Sequence, residues 1–125
     1  MNFIPIIQEQ VADGHWNLEQ LLDREGTLSL ALQNDRGQRL TLSFDSYMAY
    51  RKVDEGDALL MLSQMRKTGG TAKYFYRVEE STFVEWFNLE RCAEGSVQDL
   101  IHFALAAEND IVDVLALELP IVRMG

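Results

Sequence analysis

Side chains that do chemistry are thinly spread in this sequence. Its two histidines, His15 and His102, lie far apart, and neither has a Cys, His or carboxylate partner at the spacing a metal centre uses. His102 falls within the apolar run 100–107 and reads as a hydrogen-bonded core histidine rather than a ligand or base. Nucleophilic catalysis needs a Ser or Cys beside a His, with an acid to orient it; no glycine-flanked serine elbow is present. The single cysteine, Cys92, has only Arg91 as a basic neighbour and reads as a structural or incidental thiol. Being alone, it also excludes an intramolecular disulfide and a cysteine metal cluster. Glu108, Asp110 and Asp113 flank a turn that lacks the glycine of a calcium loop. Gly69 and Gly70 lack the lysine–hydroxyl pair of a phosphate loop. Carboxylate pairs suited to glycoside chemistry can be drawn from any chain with 20 acids, so they carry no specificity. The sequence reads as non-enzymatic, without cofactor or metal. A small enzyme with an unrecognised site is the alternative, and it requires a pocket holding convergent carboxylates or His102.

The charge is lopsided. Against 20 acidic side chains stand 11 basic ones, a net of −9. Binding nucleic acid or anionic lipid needs a basic surface, so neither is expected as a partner. The acid either keeps the protein soluble or steers a basic partner. It is also segregated. Residues 63–78 carry Arg66, Lys67, Lys73 and Arg77 and no acid, whereas Glu79 to Glu118 holds ten acids and only Arg91. Which of these acids share a face depends on the fold.

At 125 residues, 47% of them hydrophobic, the chain is expected to form one domain, 1–125, with a sizeable core. The apolar run 3–7 is too short for a signal-peptide core and has no basic residues before it, and no window has the length of a membrane span. A cytoplasmic location is the default expectation.

The elements can be read from periodicity. Residues 3–7 allow a short strand, and Asn17 suits the cap of a short helix over 18–24 closed by Gly26. Leu28, Leu30 and Leu32, then Leu40, Leu42 and Phe44, alternate with polar or small residues and predict two strands. A three-residue loop, Asp35 to Gly37, with Gly37 left-handed, pairs Leu32 with Leu40 and Leu28 with Phe44. A third strand is expected over 47–53, and a helix over 58–67 with Ala58, Met61, Leu62 and Met65 on one stripe. Asp57 suits its start and Gly69 the position beyond its end. A strand over 74–79 feeds a helix opened by the capping-box pair Thr82 and Glu85, on which Phe83, Trp86 and Phe87 read as core. Residues 100–107 predict a strand covered on both faces, Glu108 to Asp110 a turn, and 111–119 a last strand ended by Pro120. The sum is an α+β fold: a mainly antiparallel five- or six-stranded sheet with two or three helices packed on one face.

Two stretches, YFYRVEESTFVEWFN at 74–88 and IHFALAAENDIVDVLALELPIV at 101–122, resemble small acidic bacterial proteins of polymorphic-toxin loci, which look like candidate immunity proteins. The shared features are a Tyr/Arg/Val strand, a Ser/Thr-capped helix with a Trp-Phe pair, a His-containing strand, an Asn-Asp turn and a Pro-ended tail. The resemblance covers about half the chain. It implies a protein that binds a cognate toxin, with a basic surface, and occludes its active site or substrate path. The residues it singles out are Glu79, Glu80, Glu85, Glu90 and Glu94 around the capped helix. Asp54, Glu55 and Asp57 form a second acidic group, and Tyr47 and Tyr50 are exposed anchors. A structural or self-associating module is the other reading; an unpaired edge strand makes a homodimer compatible with either.

Overall fold

The clearest alternation in the sequence builds the centre of one sheet. In the computed structural model, which describes residues 1–7, 11, 15–68, 74–92, 95 and 97–125, strands β3 (Thr27–Asn34) and β4 (Arg39–Phe44) pair antiparallel, with Leu32 opposite Leu40 and Leu28 opposite Phe44. This is the expected register. Gly37 turns the loop at φ 78°, a left-handed conformation that costs glycine nothing. The Asn34 carboxamide oxygen accepts from the backbone N–H groups of Arg36 and Gln38 and holds the loop shut. Leu28, Leu30, Leu32, Leu40, Leu42 and Phe44 all point inward and are buried.

Two further strands, β2 (Trp16–Arg24) and β9 (Ile121–Met124), complete this sheet in the order β2-β3-β4-β9, and the sequence reading missed both. Residues 18–24 are not a helix but part of β2 (Trp16–Arg24), a strand paired with β3. A register shift between Leu18 and Gln20 resets the alternation, so Leu18 faces Leu32 and Leu21 faces Leu30. A bulge therefore gives two inward leucines three residues apart, a spacing that mimics a helix. Gly26 does not close a helix. Glu25 at φ 52° and Gly26 at φ 83° form a two-residue hairpin turn with both residues left-handed. The other missed strand is β9 (Ile121–Met124), which lies beyond Pro120 and pairs with β4.

The second sheet holds β1 (Asn2–Pro5), β5 (Tyr47–Asp54), β6 (Phe75–Glu79), β7 (Ile101–Ala106) and β8 (Asp110–Ala116). Its order is β1-β6-β7-β8-β5, every pairing antiparallel. Phe75, Phe103, Leu105, Val112, Val114 and Ala116 on its inner face pack against Trp16 and the leucines of the first sheet, forming the main core. Strands β7 and β8 are covered on both sides, which explains their near-continuous apolar sequence.

The helices α1 (Leu59–Thr68) and α2 (Thr82–Glu90) lie over the outer face of this sheet. Met65 of α1 closes a second cluster with Phe3, Tyr76, Val78 and Ala104, and Phe83 of α2 meets His102 edge-on. The α+β class with antiparallel pairing and helices on one face is thus the one observed. The strands, nine among the described residues, fall into two sheets of five and four instead of one sheet of five or six. Asp54, not Asp57, caps the chain ahead of α1, accepting from Gly56 N–H across a 3-10 turn over Glu55–Asp57. Gly69 lies outside the described residues. No helix among the described residues is long and apolar enough to cross a membrane.

Candidate functional site

Strand β6 ends at Glu79, Glu80 takes a left-handed φ of 54°, and the chain turns into α2 at Ser81. Ser81 is the N-cap, in place of the expected Thr82. Its Oγ accepts from the Val84 N–H at 3.1 Å, satisfying one of the helix's orphan donors. The same oxygen lies 2.6 Å from His102 Nδ1. On the far side of the ring, His102 Nε2 lies 2.6 Å from Asp113 Oδ1, a carboxylate oxygen that can only accept, so Nε2 carries the proton and donates it. In the neutral imidazole that leaves Nδ1 as an acceptor, and it takes the Ser81 hydroxyl proton. Asp113 Oδ2 accepts from Arg51 Nε at 3.0 Å, and the Arg51 guanidinium lies 4.2 Å from the centre of the Phe83 ring. A line of hydrogen bonds thus runs from α2 through β7 and β8 to β5: Ser81, His102, Asp113, Arg51. Asp113 is wholly buried and Arg51 is partly exposed, so the buried carboxylate is matched by a cation that still reaches water.

His102 is the hydrogen-bonded core histidine that its apolar run predicts, buried with both ring nitrogens engaged. Its partners were missed. One signal for the Asp113 contact was available. His102 and Asp113 are the lone polar residues inside two adjacent apolar strands. The β7–β8 register sets Ala104 opposite Asp113 and so puts His102 on the diagonal. Ser81 and Arg51 carried no such mark.

The relay opens on a cleft of about 670 Å³ between the start of α2 and the start of β7, with Ser81 and His102 in its wall. Glu79, Glu80, Glu85 and Asp99 also line it, and of the basic residues only Arg77 does. Arg77 is paired with Glu79 at 3.1 Å. The structure therefore brings three of the singled-out glutamates, Glu79, Glu80 and Glu85, to one place and adds Asp99. Glu90 lies exposed at the end of α2. Glu94 lies outside the described residues.

The outward face of α2 differs from the expected core helix. Phe83 is buried, but Trp86 is 50% exposed and Leu89 76% exposed. Trp86 stacks on Phe83 with ring centres 5.6 Å apart and leaves its other face open. Phe87 is half-buried, with Arg91 beside its ring. Of the three aromatics of α2, Phe83 alone is fully buried.

The other singled-out residues do not join this site. Asp54, Glu55 and Asp57 sit at the opposite end of the sheet, where Asp54 pairs with Asp110 and Lys52 binds Asp110 at 2.9 Å. Tyr47 and Tyr50 are half-buried rather than exposed. They meet edge-on at 5.8 Å and pack against the main core. The Tyr47 hydroxyl donates to Asp23 of β2, and that bond, with burial and the Asp23 charge, raises its pKa above the ordinary 10.0. A smaller cleft of about 320 Å³ near Glu55 is lined by His15, Glu108 and Tyr74, with His15 Nδ1 2.8 Å from Glu108. Cys92 is exposed. The described residues contain no group of three or more His, Cys, Asp or Glu arranged to hold a metal.

The fold is thus a two-sheet α+β sandwich with a helical layer on one sheet, and its most distinctive surface is the acidic cleft beside α2. Comparisons with protein-family models, with curated proteins and with solved structures find no significant match to this chain.

Proposed function

We propose that this protein works by binding a basic protein partner, in the manner of an immunity protein that occludes a cognate bacterial toxin. The observation that carries the reading is the convergence of Glu79, Glu80, Glu85 and Asp99 on one cleft at the start of α2, the helix that also exposes Trp86 and Leu89. An apolar centre with a charged rim is the anatomy of a protein interface, and large aromatics at the centre supply most of the affinity. The acid speeds encounter with a basic surface, and the buried aromatic slows release. Binding alone neutralises such a partner, so the reading asks no turnover of the protein. The resemblance of residues 74–88 and 101–122 to proteins of toxin loci supports it from the sequence side.

The test starts with a basic toxin domain encoded beside this chain and its affinity for the purified protein. Trp86→Ala and Glu85→Lys are expected to weaken binding at least about tenfold, with Glu85→Lys acting mainly on the association rate. Glu19→Lys, on the far sheet, is expected to leave it unchanged. Equal affinity for all four proteins, or no complex with any such domain, sinks the reading.

A further inference from the structure

The hydrogen-bond relay is more than a brace for α2, because its outer end lines the cleft. Ser81 stands between the end of a strand and the start of a nine-residue helix, straight after a left-handed residue. This resembles the strand–turn–helix elbow that presents the nucleophile of serine hydrolases, with the left-handed residue one place earlier. The next backbone N–H, that of Thr82, meets the Met1 thioether, at 3.3 Å, and no other acceptor among the described residues. Sulfur is a weak acceptor, which a carbonyl oxygen can displace. A nucleophile, a base, an orienting acid and one oxyanion donor therefore occupy consecutive places.

We infer that Ser81, His102 and Asp113 form an acyl-transfer site for carboxylic esters and thioesters that carry a cationic group. Ser81 Oγ adds to the ester carbonyl carbon while its proton passes to His102 Nδ1. The oxyanion so formed accepts from the Thr82 N–H. The bond from the carbonyl carbon to the leaving oxygen or sulfur then breaks, and His102 returns its proton to the departing alcohol or thiol. Water adds to the acyl-serine by the same route, releasing the acid and restoring the hydroxyl. Asp113 is a positioning residue: its carboxylate, held by Arg51, fixes the tautomer of His102 and stabilises the imidazolium. The imidazole is turned around relative to the common triad, with Nδ1 toward the serine and Nε2 toward the acid. The glutamates of the cleft select the positive charge on the substrate.

The test needs no protein partner, so its outcome is separate from that of the binding reading. The full chain is treated with a fluorophosphonate, and the modified peptide is identified by mass spectrometry, with and without acetylthiocholine present. The expected result is one adduct on Ser81, slowed by acetylthiocholine. His102→Gln is expected to label roughly 100-fold more slowly, and Asp113→Asn to lower kcat for acetylthiocholine with KM held. Folded wild-type protein that gains no adduct on Ser81, or gains one that acetylthiocholine does not slow, overturns the inference whether or not the variants fold.

Discussion

His102 Nε2 stands 2.6 Å from Asp113 Oδ1 with both side chains wholly shielded from water. The pair bridges β7 and β8 at the centre of the five-stranded sheet, where apolar residues surround it. A buried donor left without its acceptor costs about 1–3 kcal/mol, and a hydrogen bond to a charged group is worth about 1.5–3 kcal/mol. Asp113→Ala is expected to lose about 2–4 kcal/mol, because it leaves the buried Nε2 proton without an acceptor and gives up the charged bond to Arg51, whose guanidinium still reaches water. Ser81→Ala removes a cap and one hydrogen bond to the ring, and its expected cost is about 1–3 kcal/mol. Urea unfolding of both variants checks the order. An Asp113→Ala protein as stable as wild type refutes the account of the relay.

The turn between β2 and β3 predicts a gain. Glu25 holds φ at 52° without being glycine, and a side chain with a Cβ pays about 1–2 kcal/mol for that conformation. Asparagine tolerates it better, and Asn-Gly is the favoured pair for a two-residue hairpin turn. Glu25→Asn is expected to stabilise by about 0.5–1 kcal/mol, read as a rise in the urea midpoint with an unchanged slope.

That turn also marks where the sequence stopped being legible. The β3–β4 hairpin could be read residue by residue because both strands alternate without interruption and Gly37 marks the loop. Strand β2 could not, because its bulge places Leu18 and Leu21 on one face at a helical spacing. Strand β9 was hidden because Pro120 reads as the end of a strand over 111–119, whereas β8 already stops at Ala116 and Pro120 stands directly before β9, in the segment that crosses from one sheet to the other. The division into two sheets follows from such crossings, which carry no periodicity of their own. In the site, Glu79, Glu80 and Glu85 could be singled out as neighbours along the chain. Asp99 and the relay of Ser81, His102, Asp113 and Arg51 depend on which strands lie side by side. Local pattern does not encode that.

Alkaline pH is expected to unfold the protein through its tyrosines. Tyr47, Tyr74 and Tyr76 all have pKa values raised above 10.0. The hydrogen bond to Asp23 leads for Tyr47, burial for Tyr74 with the charges of Glu108 and Asp35 behind it, and burial alone for Tyr76. The folded state holds these protons past the pH at which unfolded tyrosines release them. Their contribution is therefore complete below the unfolded value near 10 and is lost as pH rises through the folded values. Asp23→Ala removes both the hydrogen bond and the charge that raise Tyr47, so in a tyrosinate absorbance titration one group should ionise at lower pH than in wild type. An unchanged titration contradicts the assignment.

The two stacked rings of α2 should separate stability from binding. Phe83 is 4% exposed, pressed between His102, Arg51 and Trp86, whereas Trp86 is 50% exposed and supports nothing beyond Phe83 among the ring contacts seen. Phe83→Ala opens a cavity beside the relay and is expected to cost about 3–5 kcal/mol. Trp86→Ala gives up one stacked face in water and is expected to cost no more than about 1 kcal/mol. A residue kept large, aromatic and half in solvent at so small a cost to the fold is free to serve a partner, and so the same variant should weaken the complex far more than it weakens the protein. Thermal melts of the two variants, set beside their affinities for the basic domain, decide the matter: if Trp86→Ala melts as low as Phe83→Ala, the ring belongs to the core and its use as an interface anchor fails.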